Sequence, residues 1–292
     1  MDLSFYKLRI CESDIILFDD LQGKGEGGDF GPLAAAILDR RRGAGADRFA
    51  VLQNPGGTVW LRVFDPDGSP SPCLFDSALA AARYLLDSGR SGSEGAKLRT
   101  PAGWLQVDLL DGSNLGISLG EPCGLSGAAG GERKQLNAGN ASAFRTLIET
   151  EGARYEALPL GVNPASETEG TGGSDGPLVS AVAFICDGGA TAARASITAN
   201  RRGTAVLPPL PLRVISRGEL WVQAQHGGGL DAAAAAGLAL GAASSLGYAD
   251  RGTAVRIRGG ALYAEWTERS GLYVAASPEY VYHGDFHFDE QS

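Results

Sequence analysis

Two Ala-rich segments, each opened by an aspartate and set among short Gly-broken strands, constrain this chain more than any other feature. The first reads Phe75-Asp76-Ser77-Ala78 and runs on through Ala80, Ala81, Ala82, Leu85 and Leu86. The second reads Leu230-Asp231-Ala232-Ala233 and runs on to Leu246. Alanine is the strongest helix former, and an aspartate at a helix start accepts a bond from an otherwise orphaned backbone N–H. Helices are therefore expected at Asp76–Ser88 and Asp231–Leu246. Helices this thin and apolar suit the centre of a layer of strands, where small residues permit close packing. Strands, a turn, an Ala-rich helix and a strand-rich tail occur in that order twice. The repetition points to two similar α/β domains, each with a helix wrapped by strands.

The strands are legible from apolar runs and alternation at Phe5–Ile10, Ile15–Phe18, Phe49–Leu52 and Val59–Phe64. Further strands are expected within Lys97–Leu109, at Asn114–Leu119 and at Leu178–Cys186. Ala193–Thr198, Leu210–Ile215 and Leu220–Gln225 continue the series. It closes with Ala254–Ile257, Ala261–Trp266, Leu272–Ala276 and Glu279–Tyr282. Pro32–Arg40 reads as a helix stopped by Gly43, and Ser142–Gly152 as a short helix. Asp65-Pro66-Asp67-Gly68-Ser69 is a turn with a mechanism, since Pro66 presets φ and Gly68 accepts positive φ. Gly124–Gly131 reads as a connection, and Asn163–Gly176, rich in Gly, Ser, Thr and Glu, as an exposed loop.

Of 292 residues, 43% are hydrophobic, which supports a packed core. The net charge is −9 with no basic block beyond Arg40-Arg41-Arg42, so neither nucleic acid nor an anionic membrane surface is an expected partner. No apolar stretch reaches the roughly 18 residues of a spanning helix, and no signal peptide is visible, so the cytoplasm is the expected compartment. The four cysteines, Cys11, Cys73, Cys123 and Cys186, form no CxxC pair, and there are only three histidines, His226, His283 and His287. A disulfide framework or a metal site is not expected.

The order of short motifs resembles diaminopimelate epimerase over nearly the whole chain. The family's opening FxKMHGxGNDFVVID is similar to Phe5 through Asp19, and its DRxxGIGADG to Asp39 through Arg48. Its RxFNADGS is similar to Arg62 through Ser69, and its KTxAG and VxMGxP to Arg99–Gly103 and Ile117–Pro122. Its closing GGxLxIxW and VxMTGPAxxVFxGE are similar to Gly259–Trp266 and Tyr273–Asp285. The resemblance implies an α+β fold of two similar domains, each a strongly curved, mainly antiparallel sheet around a central Ala-rich helix. The domains are expected at residues 1–120, with 275–292 returning to the first, and at 121–274. It also implies a cofactor-independent isomerase of a lysine-biosynthesis family, and a homodimer or a protein partner is an allowed assembly.

The resemblance fails at the chemistry. The family reaction uses two thiols on opposite faces of the substrate α-carbon, one removing the proton as thiolate and the other returning one. The family's MCGNGARCFAR falls on Cys73 through Arg83, which puts Leu74 at the thiol position, or Cys73 if a gap moves by one residue. Its ERGVGETLACGTGAC falls on Gln225 through Ala239, which puts Ala234 at the second. The Glu-Arg pair that meets the substrate's ammonium and carboxylate has become Gln225 and His226. Asparagines of the family are replaced by Ser13, Asp65 and Asp76. The scaffold positions persist and the ligand positions Ser13, Asp65, Asp76, Gln225 and His226 are rewritten. Gly and turn residues specify backbone, while Asn, Glu, Arg and Cys specify a zwitterionic amino acid and its proton transfer.

The expectation is a diaminopimelate-epimerase-like pseudoenzyme that binds a small amino or carboxylic acid or a protein. The alternative is a divergent isomerase that moves protons by acid/base chemistry in the cleft between the domains, without a cofactor or metal. In that reading Asp76, Asp231 and His226 are acid/base groups. In the plainer one both aspartates are N-caps, Cys73 is a packed thiol and His226 is a loop residue. Gly227-Gly228-Gly229, leading into a helix, offers backbone N–H groups to an anion.

Overall fold

The computed structural model describes residues 2–23, 28–125, 133–135, 141, 146–150, 153–163, 179–186, 209–223 and 230–288. Among them it is mostly sheet, with 17 strands and three α-helices. The chain divides into two compact units, one containing Met1–Ile117 and Ala276–Ser292, the other Ser118–Ala165 and Ser174–Ala275.

The first unit contains β1 (Asp2–Ile10), β2 (Ser13–Asp20), α1 (Gly31–Leu38), β3 (Arg48–Gln53) and β4 (Trp60–Phe64). It continues with α2 (Phe75–Asp87), β5 (Gly95–Thr100), β6 (Gly103–Asp111) and the start of β7 (Asn114–Leu125). The last described strand, β17 (Glu279–His287), pairs with β1. The sheet order is β17-β1-β2-β3-β4-β5-β6-β7, antiparallel except for β2–β3 and β4–β5. Parallel neighbours need a crossover, and α1 and α2 are those crossovers. This explains why Ile15-Ile16-Leu17-Phe18 and Phe49-Ala50-Val51-Leu52 are continuous apolar runs rather than alternating ones: both faces are covered. Ile16, Phe18, Phe49 and Val51 pack with Leu33 and Ile37 of α1. The alternate residues Ile15, Leu17, Ala50 and Leu52 are fully buried, and α2 packs on β2 and β3.

The second unit takes β7 from Ser118 onward and adds β8 (Arg133–Gln135), β9 (Thr146–Thr150), β10 (Ala153–Asn163), β11 (Val179–Cys186), β12 (Pro209–Ser216) and β13 (Glu219–Val222). Helix α3 (Ala232–Ser245) follows, then β14 (Gly252–Ile257), β15 (Gly260–Thr267) and β16 (Gly271–Ala276). Strands β7-β10-β11-β12-β13-β14-β15-β16 pair in sequence, and β16 pairs back to β7, closing an eight-stranded barrel. Its parallel pairs are β11–β12 and β13–β14, the latter bridged by α3. The pairing sequence of β10 to β16 thus matches that of β1 to β7.

All but one of the residues of α3 are buried. Its sequence AAAAAGLALGAASS has no polar face to present to water, so strands surround it on every side. Gly237 shows how tight this is, since a Cβ there would lie 2.6 Å from Leu119 Cδ2. In the first unit every residue of Phe75–Ala82 is buried.

The Asp65–Ser69 turn forms as its residues dictate. Asp65 N donates to Ser69 O, Gly68 N to Asp65 O, and Gly68 adopts a φ of 83°. The expected helix at Ser142–Gly152 is corrected: Thr146–Thr150 is strand β9, paired antiparallel with β10. The ladder offered by β10 outweighs a weak helix preference in a segment carrying Thr146, Ile148 and Thr150, whose β-branched side chains suit a strand. Helix α1 ends at Leu38 rather than Arg40, because Asp39 Oδ1 accepts from the backbone N–H groups of Arg41 and Arg42 and turns the chain. Strand β7 runs on to Leu125, into the expected connection. The expected strand Ala193–Thr198 and nearly all of the loop at 163–176 lie outside the described residues.

Gly237→Val would insert a branched side chain against Leu119. Overpacking of this kind costs about 1–3 kcal/mol. Urea unfolding should show that loss as a lowered midpoint with an unchanged slope, and an unchanged midpoint would contradict the packing described.

Candidate functional site

Each unit carries one buried helix start, and the two starts are built differently. At α3, Asp231 is the N-cap: its Oδ1 accepts from Ala234 N at 2.8 Å, and its backbone is extended. The capping reading of Asp231 therefore holds, a role that contributes about 1 kcal/mol. Ala234 is fully buried within the first turn. Its methyl has no proton to exchange.

At α2 the helix begins one residue earlier than expected. Leu74 is the N-cap, without a side-chain cap bond, and Asp76 sits inside the first turn. The reading of Asp76 or Ser77 as N-cap is corrected. Asp76 keeps a favourable place near the positive end of the helix dipole, but it is 1% exposed, which is costly for a carboxylate that only decorates a helix. Ser77 is fully buried, and its Oγ has no hydrogen-bond partner. Leu74 and Cys73, the two candidates for the first thiol position, are both buried. Cys73 N donates to Ser71 Oγ at 3.2 Å in the approach to the helix. The burial of Cys73 fits a packed thiol better than a reactive one.

The thiol that stands out is Cys11. With Glu12 it forms the two-residue connection from β1 to β2, where Ile10 pairs with Ser13. Its φ is 53°, and among the described residues it is the one non-glycine with positive φ. That conformation costs about 1–2 kcal/mol for a residue with a Cβ. Cys11 is half-buried, and its thiol is pushed up to about 12, first by burial and then by the negative charges of Asp76, Glu12 and Glu279. Helix α2 packs against β1 and β2, the strands this hairpin joins. A thiol whose folded pKa is raised favours the fold below its ordinary value near 8.5. That contribution is lost as pH climbs from there toward 12.

Ser13, half-buried, opens β2 at this same tip. Asp65 does not point to a ligand role. Its Oδ1 is 3.1 Å from Arg48 Nε in an ion pair whose arginine side chain is 9% exposed. Arg48 stands where the resembled motif has the last glycine of GADG, and Asp65 where it has an asparagine. The two departures are partners, a signal readable only by taking both together. Around them, Lys7 Nζ donates to Gly45 O at 2.7 Å and pairs with Asp14 at 3.0 Å. Asp47 accepts from Asp14 N and pairs with Arg40. These contacts fasten the opening motif to the Gly43–Asp47 turn and are structural. Gln225, His226 and Gly227–Gly229 lie outside the described residues. Among the described residues no group of three His, Cys, Asp or Glu side chains is placed to hold a metal ion, and no helix is long and apolar enough to cross a membrane.

No protein-family model matches the chain. Its sequence is similar to the diaminopimelate epimerase of Pelotomaculum thermopropionicum, 28% identical over 296 residues, covering 97% of this chain and 99% of that one. The chain resembles diaminopimelate epimerases along nearly its whole length. Its fold is similar to that of a phenazine biosynthesis PhzF-family protein of Enterococcus faecalis, with a TM-score of 0.63 at 13% identity over 99% and 100% of the two chains. It is also similar to a hydroxyproline epimerase of Agrobacterium vitis with bound trans-4-hydroxy-L-proline, with a TM-score of 0.60 at 11% identity over 99% and 94%. A methylitaconate-delta-isomerase matches with a TM-score of 0.50 at 10% identity, over 100% and 98%. The shared feature is an isomerase-type fold.

In the epimerase-like chain the Arg48–Asp65 pair replaces a neutral pair, so its members should depend on each other. Removing one takes the ion-pair partner from a largely buried charge, at about 1–3 kcal/mol once the partial exposure of Asp65 is allowed for. Urea unfolding of Arg48→Gly, Asp65→Asn and the double variant should therefore give a double-variant loss smaller than the sum of the singles. Additive losses would show that the two side chains are independent.

Proposed function

We propose that this chain uses a diaminopimelate-epimerase-like scaffold to bind a small amino or carboxylic acid and does not run the two-thiol epimerase reaction. The observation that carries the reading is Ala234, fully buried where the family's second thiol would stand, with its N–H committed to Asp231. The side chain at the first position, Leu74 or Cys73, is buried as well. Loss of either acid/base group breaks a mechanism that needs one on each face of the α-carbon. The test is proton NMR of meso-diaminopimelate incubated with the pure chain in deuterated water. No loss of the α-proton signals is expected; their washout, abolished by Cys73→Ala, would sink the reading.

A second reading is favoured by one specific observation. Asp76, nearly fully buried in the first turn of α2, puts a carboxylate where the resembled site has an asparagine. This supports a divergent, cofactor-independent isomerase acting on a small acid by proton transfer. Asp231, committed as a cap, contributes less to such chemistry.

A homodimer is supported by β17. Among the described residues its only strand partner is β1, and Tyr280, Val281 and Tyr282 are exposed along it. An unpaired edge of this kind is a template for strand addition. Light scattering should give twice the chain mass of 30.2 kDa, and Val281→Lys should shift it toward the monomer. A monomeric wild type would remove the dimer.

A further inference from the structure

The outer face of the first unit's sheet holds two arginines that the chain leaves without carboxylates. On β4, β5 and β6, Leu61, Leu98, Leu105 and Val107 are buried on the side where α2 packs. The alternate residues Trp60, Arg62, Lys97, Arg99, Trp104 and Gln106 face the other way. Helix α1 and its core cover that outer side only as far as Phe64. Trp60 pairs with Arg99 across β4–β5, and Arg99 with Trp104 across β5–β6, so one cross-strand row sets an arginine between two indoles. The guanidinium carbon of Arg99 lies 5.7 Å from the Trp60 ring centre and 5.3 Å from that of Trp104. Lys97 Nζ lies 4.9 Å from the same Trp104 ring. Further along β4, Arg62 is held over Phe30 at 5.4 Å and Phe64 at 5.2 Å. A ring attracts a cation to its face and leaves the N–H edge of a guanidinium open. Among the described residues, the side chains of Arg62 and Arg99 make no hydrogen bond or ion pair beyond these ring contacts. Arg40, Arg83 and Arg90 of the same unit each pair with an aspartate.

We propose that this face binds an extended acidic segment of a partner protein, with Arg99 and Arg62 each taking one of two carboxylates at alternate positions. The two arginines are diagonal neighbours on adjacent strands, about 7–8 Å apart. Residues i and i+2 of an extended chain share one side and lie about 6.6 Å apart. The acidic side chains of a Glu-x-Glu segment therefore reach both guanidinium groups, while adjacent glutamates point to opposite sides. Each guanidinium offers a fork of N–H donors that matches a carboxylate. The rings already hold both arginines in place, so less freedom is lost on binding. Asp108 stands at the Lys97 end of β6 and accepts from Gln106 at 3.2 Å, so the uncompensated charge sits at Arg99 and Arg62. Nucleic acid fits this face less well. A single strand stacks its bases on aromatic faces, and the chain's own Arg99 and Lys97 lie over the Trp104 ring. A polyanion would also meet a chain of net charge −9, whereas two carboxylates meet the arginines alone. The face lies across the sheet from α2, so the proposal stands apart from what the start of that helix binds.

The probe is a dye-labelled peptide with blocked ends, Thr-Glu-Thr-Glu-Thr-Tyr. Its isomer Thr-Thr-Glu-Glu-Thr-Tyr has the same charge with the two carboxylates on opposite sides. Fluorescence anisotropy with the full chain at about 50 mM salt should show the alternating peptide binding about tenfold more tightly than the isomer. Raising the salt to about 200 mM should weaken it, because the contacts are exposed charges. Arg99→Gln and Arg62→Gln should each weaken binding about tenfold. Arg99→Lys keeps a cation between the indoles and loses the fork, and should weaken it about threefold. Arg269→Gln, at an exposed arginine between β15 and β16, should leave it unchanged. Circular dichroism checks the fold of each variant; should Arg99→Gln not fold, Arg62→Gln and Arg99→Lys carry the test. No binding of the alternating peptide overturns the proposal. Equal binding of the two isomers overturns it as well, as does binding that survives in the folded Arg62 and Arg99 variants. A short oligothymidylate in the same assay should not bind. Oligothymidylate bound more tightly than the peptide, and lost in the same variants, would assign the face to nucleic acid and overturn the acidic segment.

Discussion

A helix can be enclosed by strands on every side only if it presents nothing that needs water and nothing too large to be approached. The rest of this structure depends on that condition. Helix α3 meets it almost completely, with alanine and glycine at most positions and all but one residue buried. Gly237 marks the limit, because Leu119 of the barrel stands where its Cβ would go. Helix α2 meets it over its first two turns, while its later part turns Arg83 and Asp87 outward. The parallel pairs β2–β3, β4–β5 and β13–β14 are each bridged by a helix, and the antiparallel strands close around what these crossovers have buried.

Burying a helix also buries its start, where the backbone N–H groups are unsatisfied and the dipole is positive. The two units resolve this differently. In α3 the solution is local: Asp231 caps Ala234, and the turn that follows is alanine. In α2 the N-cap Leu74 makes no side-chain cap bond, and the first turn instead holds the buried carboxylate of Asp76 and the buried Ser77 hydroxyl, which has no hydrogen-bond partner. The asymmetry separates a start that is finished as structure from one that still has capacity for chemistry. It also gives physical content to the proposed reading, in which the scaffold turns remain while apolar side chains or a buried cysteine stand at the two thiol positions that the resemblance implies.

Much of the fold was legible because its signals are local. The Ala-rich runs, the Asp65–Ser69 turn and the apolar strands each form where residue chemistry places them. Strand β9 was not legible, because Thr146–Thr150 has little pattern of its own and takes its conformation from the ladder on β10. At the site, the residues that depart from the resembled motifs were legible in the sequence, and their structural partners were less so. Ala234 follows from motif register alone. The Arg48–Asp65 pair joins residues 17 apart in the chain across β3 and β4, and neither residue announces the other. Asp76 looked like a cap because Asp before alanines usually is one, and only the position of Leu74 shows otherwise. Cys11 stands at a variable position of the opening motif, and only the fold shows its positive φ and partial burial.

The central claim is that the amino-acid site has been rewritten as a whole, with the missing thiols only one part of the change. Restoring both thiols in one chain, Leu74→Cys with Ala234→Cys, tests it most directly through α-proton exchange of meso-diaminopimelate in deuterated water. The account predicts a folded variant with no exchange, because Asp65 remains bound to Arg48 and the asparagines of the resembled site remain Ser13 and Asp76. Exchange at an enzyme-like rate would contradict it, by showing that the thiols were all the chain had lost.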